Sequence, residues 1–246
     1  MSSMFNLKGR TALVTGAGQG MGTGIVEALA KQGACVYLND LFHDRVDAQV
    51  AAMQAKGYNV KAAGGDITDP DWIEQVVASS GGIDILVNNA GVPVGMPGSL
   101  RPFEEMTAED YERQFKLNFY AIVNLTRAVL PAMIEQGHGR ILMISSESWR
   151  QGQSLGLSDY ASSKAAAIGF MRTLSAELGE KGVTVNALSL GAMNNHGYDE
   201  LAAKVTSVGR AGTPEDVGAA ATYLVSNEAS WMTGQTIALN GGSCTA

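Results

Sequence analysis

In DYASSKAAAIGF, residues 159–170, a tyrosine and a lysine stand four residues apart at the head of an alanine-rich segment that reads as a buried helix. That spacing puts Tyr160 and Lys164 one above the other on a single helical face, where their side chains meet or share a ligand. The pair is either packing or chemistry. A second signal lies near the N-terminus, where the apolar run TALVT enters TGAGQGMG, Thr15 to Gly22, and a helical pattern follows. Glycines 16, 20 and 22 let the backbone turn tightly and approach a pyrophosphate, whose charge is favoured by the amides at a helix start. The strict Gly-x-Gly-x-x-Gly spacing fails, because Met21 takes its last place, and no Walker lysine follows. A third signal is Asp40, at the close of the next apolar run. Its carboxylate can accept hydrogen bonds from both ribose hydroxyls of an adenosine and would repel a 2′-phosphate. Neither Gln19 nor Leu41 supplies the cation that such a phosphate wants. The expected cofactor is therefore NAD(H), preferred over NADP(H).

Seven short apolar or β-branched runs must position these residues: 11–15, 34–39, 58–63, 83–89, 140–146, 183–188 and 235–239, with helical patterns between them. Strands alternating with helices imply a parallel sheet, and right-handed crossovers then place helices on both faces. The expectation is an α/β fold: a doubly wound seven-stranded parallel sheet, the Rossmann fold, as a single domain over residues 1–246. Ligands bind such sheets beyond the carboxyl ends of the strands. Two stretches are too irregular for strand or helix, 91–103 and 191–214. Long irregular loops in a compact domain tend to be functional, so a substrate lid is expected over about 191–213.

Bulk properties limit the partners. Hydrophobic residues make up 46% and charged ones 17% of the 246, enough for a sizeable core. The formal charge of −7 argues against nonspecific binding to nucleic acid or to anionic membrane, and favours a small-molecule partner. Cys35 and Cys244 make neither a zinc spacing nor a disulfide framework, which suggests a reducing, cytoplasmic setting. The opening MSSMFNLKGR lacks the apolar core of a leader, and no apolar stretch approaches the roughly 18 residues of a membrane span. No metal site is expected, because His43, His138 and His196 lie far apart and make no ligand pattern with either cysteine.

Thr15-Gly16 through Gly20-Met21-Gly22, Asn88-Asn89-Ala90-Gly91, Asn118, Ser145-Ser146 and Tyr160-x-x-x-Lys164 together resemble the short-chain dehydrogenase/reductase family, in its ordinary, non-extended branch, over residues 8–242. The resemblance implies Tyr160 as the acid/base, Lys164 as its electrostatic partner and ribose anchor, Ser146 as the hydrogen bond to the carbonyl, and Asn118 as support for a proton relay. Elementary chemistry agrees with each role. A free phenol ionises near pH 10, so a tyrosine working near neutrality needs a cation that favours phenolate, and Lys164 is one turn away. Ser146 can orient and polarise a substrate oxygen, and the Asn118 amide suits holding a water near Lys164. On the cofactor side the resemblance implies a cradle of Gly16, Gln19, Gly20, Met21 and Gly22. It implies Asp66 and Ile67 at the adenine, Asn89 close by and bracing the central strands, and the backbone amide of Met193 at the carboxamide.

Three departures from the family pattern stand out. Leu190-Gly191 replaces a Pro-Gly, and Asn195 stands where a threonine is usual. The interval from Ser146 to Tyr160 is one residue longer than expected, so the loop 147–159 is expected to bulge into the pocket. Asn240 replaces a usual aspartate and is read as structural. The irregular stretches and that loop are expected to form the substrate wall. Its apolar candidates are Val94, Met96, Trp149, Leu155 and Tyr198, beside Met193, and its polar ones are Glu147, Gln153 and His196. This mix suits a moderately apolar secondary alcohol or ketone. A 3-oxoacyl-type ketoreductase of the same family and a catalytically silent NAD(H)-binding regulator are the alternatives.

A rival motif needs weighing. Gly152-Gln153-Ser154-Leu155-Gly156 satisfies the Gly-x-Ser-x-Gly pattern of a hydrolase nucleophile elbow. An elbow needs a strand directly before the serine and a histidine later in the chain, and ESWRQGQ is not a strand. A hydrolase is therefore not expected. Finally, the segments 106–136 and 160–180 are apolar on more than one face, and in the family such helices pair across a twofold axis, usually in a homotetramer.

Overall fold

The computed structural model describes residues 4–91, 100–152, 154–194, 197 and 199–245. Each of the seven apolar runs forms a strand: β1 (Thr11–Val14), β2 (Cys35–Leu38), β3 (Val60–Ala62), β4 (Ile85–Asn88), β5 (Gly139–Ser146), β6 (Val183–Leu190) and β7 (Thr236–Leu239). All pair in parallel, in the order β3-β2-β1-β4-β5-β6-β7. Parallel neighbours cannot be joined by hairpins, so helices carry the connections. These are α1 (Met21–Lys31), α2 (His43–Ala55), α3 (Pro70–Ser80), α4 (Ala108–Phe115), α5 (Ala121–Glu135), α6 (Ser158–Leu178), α7 (Asp199–Val205) and α8 (Pro214–Val225). The sheet therefore has two buried faces, and its strands read as continuous apolar runs for that reason. In β1, Ala12 and Val14 join the core under α1, α2 and α8, while Leu13 joins the core under α3, α5 and α6.

β1 lies between β2 and β4, so the chain departs in opposite directions from this point and a crevice opens beyond the ends of β1 and β4. How the helices begin then matters. Asp69 caps α3, and Thr107 with Asp110 and Thr213 with Asp216 form capping boxes on α4 and α8. α1 has no such device: Gly20 precedes it at a φ of 61°, no side chain caps it, and its first turn carries no acid. Its amides are left to meet an anion.

One expectation about membranes is corrected. α4, a π-helical turn at Lys116–Tyr120 and α5 make one continuous helix of 28 residues, Ala108–Glu135, long and apolar enough by length and composition to cross a bilayer. The sequence disguises this with Asn118, Asn124 and Thr126, although Arg127 is the only charge between Leu117 and Ile134. In the fold the helix lies along the sheet, with Ile122, Leu125, Val129 and Met133 in the core.

Candidate active site

α6 brings Tyr160 and Lys164 to the carboxyl end of β5. Lys164 is buried, and its ammonium donates to the Ile144 carbonyl at 3.0 Å while lying 5.7 Å from the centre of the Tyr160 ring. Burial disfavours the charged ammonium and pushes it down to about 8. Burial acts oppositely on Tyr160, raising it because the charged form is the phenolate, and a hydrogen bond with the Ser146 hydroxyl pulls part of that back. Ser146 closes β5, and its Oγ also accepts from the Ser148 amide at 3.3 Å.

Asn118 comes from the other side of α6. It sits in the π-helical turn, a wide turn of the kind that often marks functional positions. Its Nδ2 donates to Gln114 Oε1 at 2.7 Å and to Ser163 Oγ at 3.0 Å, and Ser163 donates to the Tyr160 carbonyl at 2.7 Å. Its Oδ1 has no hydrogen-bond partner among the described residues. That oxygen and Lys164 Nζ face the same point beside Gly91, where an added Cβ would lie 3.0 and 3.3 Å from them. Sequence reasoning did not single out Gln114, Ser163 or the need for glycine at 91. The i, i+4 spacing of Gln114 and Asn118 was the one available signal.

The crevice is braced by side chains on backbone groups. Asn89 Nδ2 donates to the carbonyls of Thr15 and Gly16 at 2.8 and 2.9 Å, and the amides of Asn89 and Ala90 donate to Thr15 Oγ1, both at 3.0 Å. Asn39 does the same on the far side, accepting from the Gly16 amide at 3.3 Å and donating to the carbonyls of Ala63 and Gly65 at 2.9 Å. Gly22 must be glycine because a Cβ would lie 2.7 Å from Asn89 Nδ2. Gln19 is exposed on the turn, and Met21 is buried at the start of α1.

Asp40 is buried at the end of β2, where its Oδ2 accepts from the Gly18 amide and its Oδ1 from the Phe42 amide, both at 3.1 Å. Gly18, not counted among the cofactor residues from sequence, is also fixed by this: a Cβ there would lie 2.8 Å from Asp40 Oδ2. A cation was missed too. Arg45 stacks 4.3 Å above the Phe42 ring and comes within 4.0 Å of Asp40 Oδ1. It lies five residues past the aspartate, and only the turn into α2 folds it back. After β3, Asp66 is exposed and accepts from the Thr68 amide at 2.8 Å, while Ile67 is buried in the core.

The short chain dehydrogenase family profile matches residues 10–205. The chain belongs to the short-chain dehydrogenase/reductase family. This dehydrogenase/reductase is 34% identical over 253 residues to the 7alpha-hydroxysteroid dehydrogenase of Escherichia coli strain K12, covering 98% of this chain and 96% of that one. Among solved structures, a 3-oxoacyl-[acyl-carrier protein] reductase with bound NAD from Brucella melitensis aligns with a TM-score of 0.92 at 31% identity, covering 98% and 94% of the two chains. A gluconate 5-dehydrogenase from Burkholderia cenocepacia in complex with NADP and tartrate aligns at 0.88 and 27%, covering 98% of each. The family uses a nicotinamide dinucleotide, and the residues present fit one: uncapped amides at the start of α1 for a pyrophosphate and a buried carboxylate at Asp40 for ribose hydroxyls.

On the substrate side, two of the expected residues are held by protein partners. Glu147 was expected to contact substrate, but its carboxylate is buried and already accepts from Arg150 and Asn240. Trp149, expected in the pocket wall, is half-buried: its Nε1 donates to Ser189 Oγ at 3.1 Å and its ring packs against the core under α6. After Ser146 the chain winds into a 3₁₀ turn, Glu147–Trp149, in which Glu147 and Ser148 are buried. Leu155 is exposed. Ser154 is exposed too, and the 3₁₀ turn rather than a strand lies upstream of it, so it has no nucleophile elbow. Met193 bridges to Gly212 through bonds from the Asn194 amide to the Gly212 carbonyl and from the Gly212 amide to the Ala192 carbonyl. Neither bond uses the Met193 amide. Val94, Met96, Gln153, Asn195, His196 and Tyr198 lie outside the described residues.

Proposed function

We propose that the protein reversibly oxidises a secondary alcohol to its ketone with NAD(H), Tyr160 serving as the acid/base. The observation that carries this reading is the gathering of Tyr160, Ser146, Lys164 and Asn118 at the end of β5, beside the crevice between β1 and β4. Bound nicotinamide supplies or accepts the hydride. Ser146 then holds the substrate oxygen, and Tyr160 gives it a proton on reduction and takes one on oxidation. Lys164 holds positive charge near the phenol and anchors a ribose. The free Oδ1 of Asn118, facing the same point as Lys164 Nζ, supports a water between them that passes protons onward.

Gly16, Gln19, Gly20, Met21 and Gly22 then line the pyrophosphate, Asp66 and Ile67 the adenine, Asn89 the crevice floor, and the Met193 amide the carboxamide. The preference for NAD(H) is supported by Asp40, a buried carboxylate that would repel a 2′-phosphate and that lies 4.0 Å from the Arg45 guanidinium. The stretch 191–213 is proposed as the lid, anchored at the Met193–Gly212 bridge. A panel of secondary alcohols and ketones, followed at the NADH absorbance with both cofactors, tests the reading. Turnover with NADH well above that with NADPH is expected, and Asp40→Ala should weaken NADH binding about tenfold and narrow the gap. Tight NADH binding with no turnover across the panel would instead favour the silent regulator. Fast reduction restricted to 3-oxoacyl thioesters would favour the ketoreductase, which the likeness to the Brucella enzyme supports.

Assembly as a homotetramer is part of the same proposal. The outward face of α5 and α6 carries an apolar groove lined by Val123, Leu130, Ile134, Phe170 and Leu174, the kind of face that a second copy covers. Sedimentation near four times the 25.7 kDa chain mass is expected, and a monomer at all concentrations would overturn it. A cytoplasmic setting is proposed from the two free cysteines, Cys35 and Cys244.

A further inference from the structure

Glu147 is a buried acid that the catalytic reading leaves unused. It directly follows Ser146 and is 4% exposed. Its Oε2 accepts from Arg150 Nε at 3.1 Å, from Arg150 Nη2 at 2.6 Å and from Asn240 Nδ2 at 2.9 Å. Asn240 is itself 8% exposed and stands at the end of β7. The same Nδ2 donates to the Cys244 carbonyl at 2.9 Å, and its Oδ1 accepts from the Gly242 amide at 2.9 Å, so this one side chain folds the C-terminal tail. The tail in turn holds the loop that follows α7. Val208 donates its amide to the Gly241 carbonyl at 3.1 Å, and Ser207 Oγ donates to the Gly242 carbonyl at 3.0 Å. A continuous path of hydrogen bonds therefore runs from the turn beside Ser146, through Asn240 and the tail, to residues 207–208.

We infer that Glu147 is a positioning residue: its carboxylate anchors the C-terminal tail through Asn240, and the tail fixes the loop at 206–208, within the stretch proposed above as the substrate lid. The joint accepts one carboxylate only. Asn240 must donate to Glu147, and an acid at both positions would set two like charges within hydrogen-bond distance. The charged and titratable groups at the joint are Arg150, on the same turn, and the Cys244 thiol of the tail, near that guanidinium; β6 offers only the neutral Ser189 hydroxyl. Arg150 is thus the single cation available to the pair among the described residues. It also explains why an amide occupies position 240: the acid resides at 147 instead.

The test is a pair exchange on the full chain, read by hydrogen exchange and by kinetics. Asn240→Asp sets two acids side by side, so at pH 7.5 the amides of 207–209 and 241–244 should lose about tenfold of their protection, corrected for intrinsic rates. At lower pH, where the two acids can share a proton, protection should return in part. Glu147→Gln combined with Asn240→Asp restores one donor and one acceptor between 147 and 240 and should recover protection in part at both pH values, because an aspartate at 240 cannot donate to the Cys244 carbonyl. The kinetic arm rests on the oxidoreductase reading: KM for the panel's ketone should rise several-fold in Asn240→Asp, with kcat within about twofold, and recover in the double variant. Unchanged protection in Asn240→Asp, or a double variant no better protected than the single one, would overturn the anchor. Should Asn240→Asp fail to fold, a folded and protected double variant supports the anchor and an unfolded one overturns it. A panel without turnover counts against the oxidoreductase reading alone, because exchange reads the anchor without it.

Discussion

Tyr160→Phe should lower kcat/KM for the alcohol about 10³-fold while NADH still binds within a few-fold of the unaltered protein. The ring stays and only the hydroxyl is lost, so packing on α6 is preserved and the proton route is not. The expected pH dependence follows from the protonation states. Oxidation needs the phenolate, which burial disfavours, so its rate should climb with pH, whereas reduction needs the neutral phenol and should fall as pH rises. Lys164 complicates the upper end, since burial has brought it to about 8 and its charge is being lost there. Lys164→Met removes the nearby cation altogether and should carry the rising limb to higher pH, while Tyr160→Phe should flatten it. Steady-state rates in both directions between pH 6 and 10, with NADH binding measured by fluorescence, check this. A Phe variant with a retained rate and an unchanged profile would remove Tyr160 from the chemistry.

Gly24→Val should destabilise the protein by about 3 kcal/mol and lower Tm by roughly 6–12 °C. Gly24 is the fourth residue of α1, and inside a helix a glycine ordinarily costs about 1 kcal/mol relative to alanine. The structure gives its reason. α1 and α8 cross so closely that a Cβ on Gly24 would overlap the Pro214 carbonyl oxygen and lie 2.7 Å from Pro214 Cβ. From the other side, a Cβ on Gly218 would overlap the Gly24 carbonyl oxygen and lie 2.9 Å from Ala28 Cβ. Backbone cannot move aside as a side-chain end can, so the steric cost exceeds the propensity gain. Gly179, with a φ of −55° and nothing within 4 Å of its Cβ position, is the control, and Gly179→Ala should leave Tm unchanged or slightly raised. Thermal unfolding of the two variants separates the crossing from a general intolerance of side chains at glycines.

Much of the architecture was readable in the chain because a parallel sheet buries both faces. Each strand then has to be a short apolar run, and the order of runs and helical patterns leaves few topologies. The ends of those runs also carry the candidate site: Gly16, Asp40, Asn89 and Ser146 all stand at or just beyond the carboxyl end of a strand, where ligands bind in such sheets. The Tyr160–Lys164 pair was legible for a similar reason, as i, i+4 spacing on a helix is a local property.

What the linear order could not decide were contacts between residues brought together by turns. Arg45 lies beside Asp40 only because α2 starts one turn later and folds back over it. Glu147 is buried in the 3₁₀ turn that follows Ser146, and one of its hydrogen-bond partners is Asn240, at the far end of the sequence. Gly24 looks like a weak point in a helix until α8 is placed across it. Local patterning settles which segments form strands and helices and which of their ends can do chemistry, since period and capping act over a few residues. Which side chain is buried, paired or crowded depends on packing across tens to hundreds of residues, and only the folded arrangement supplies it.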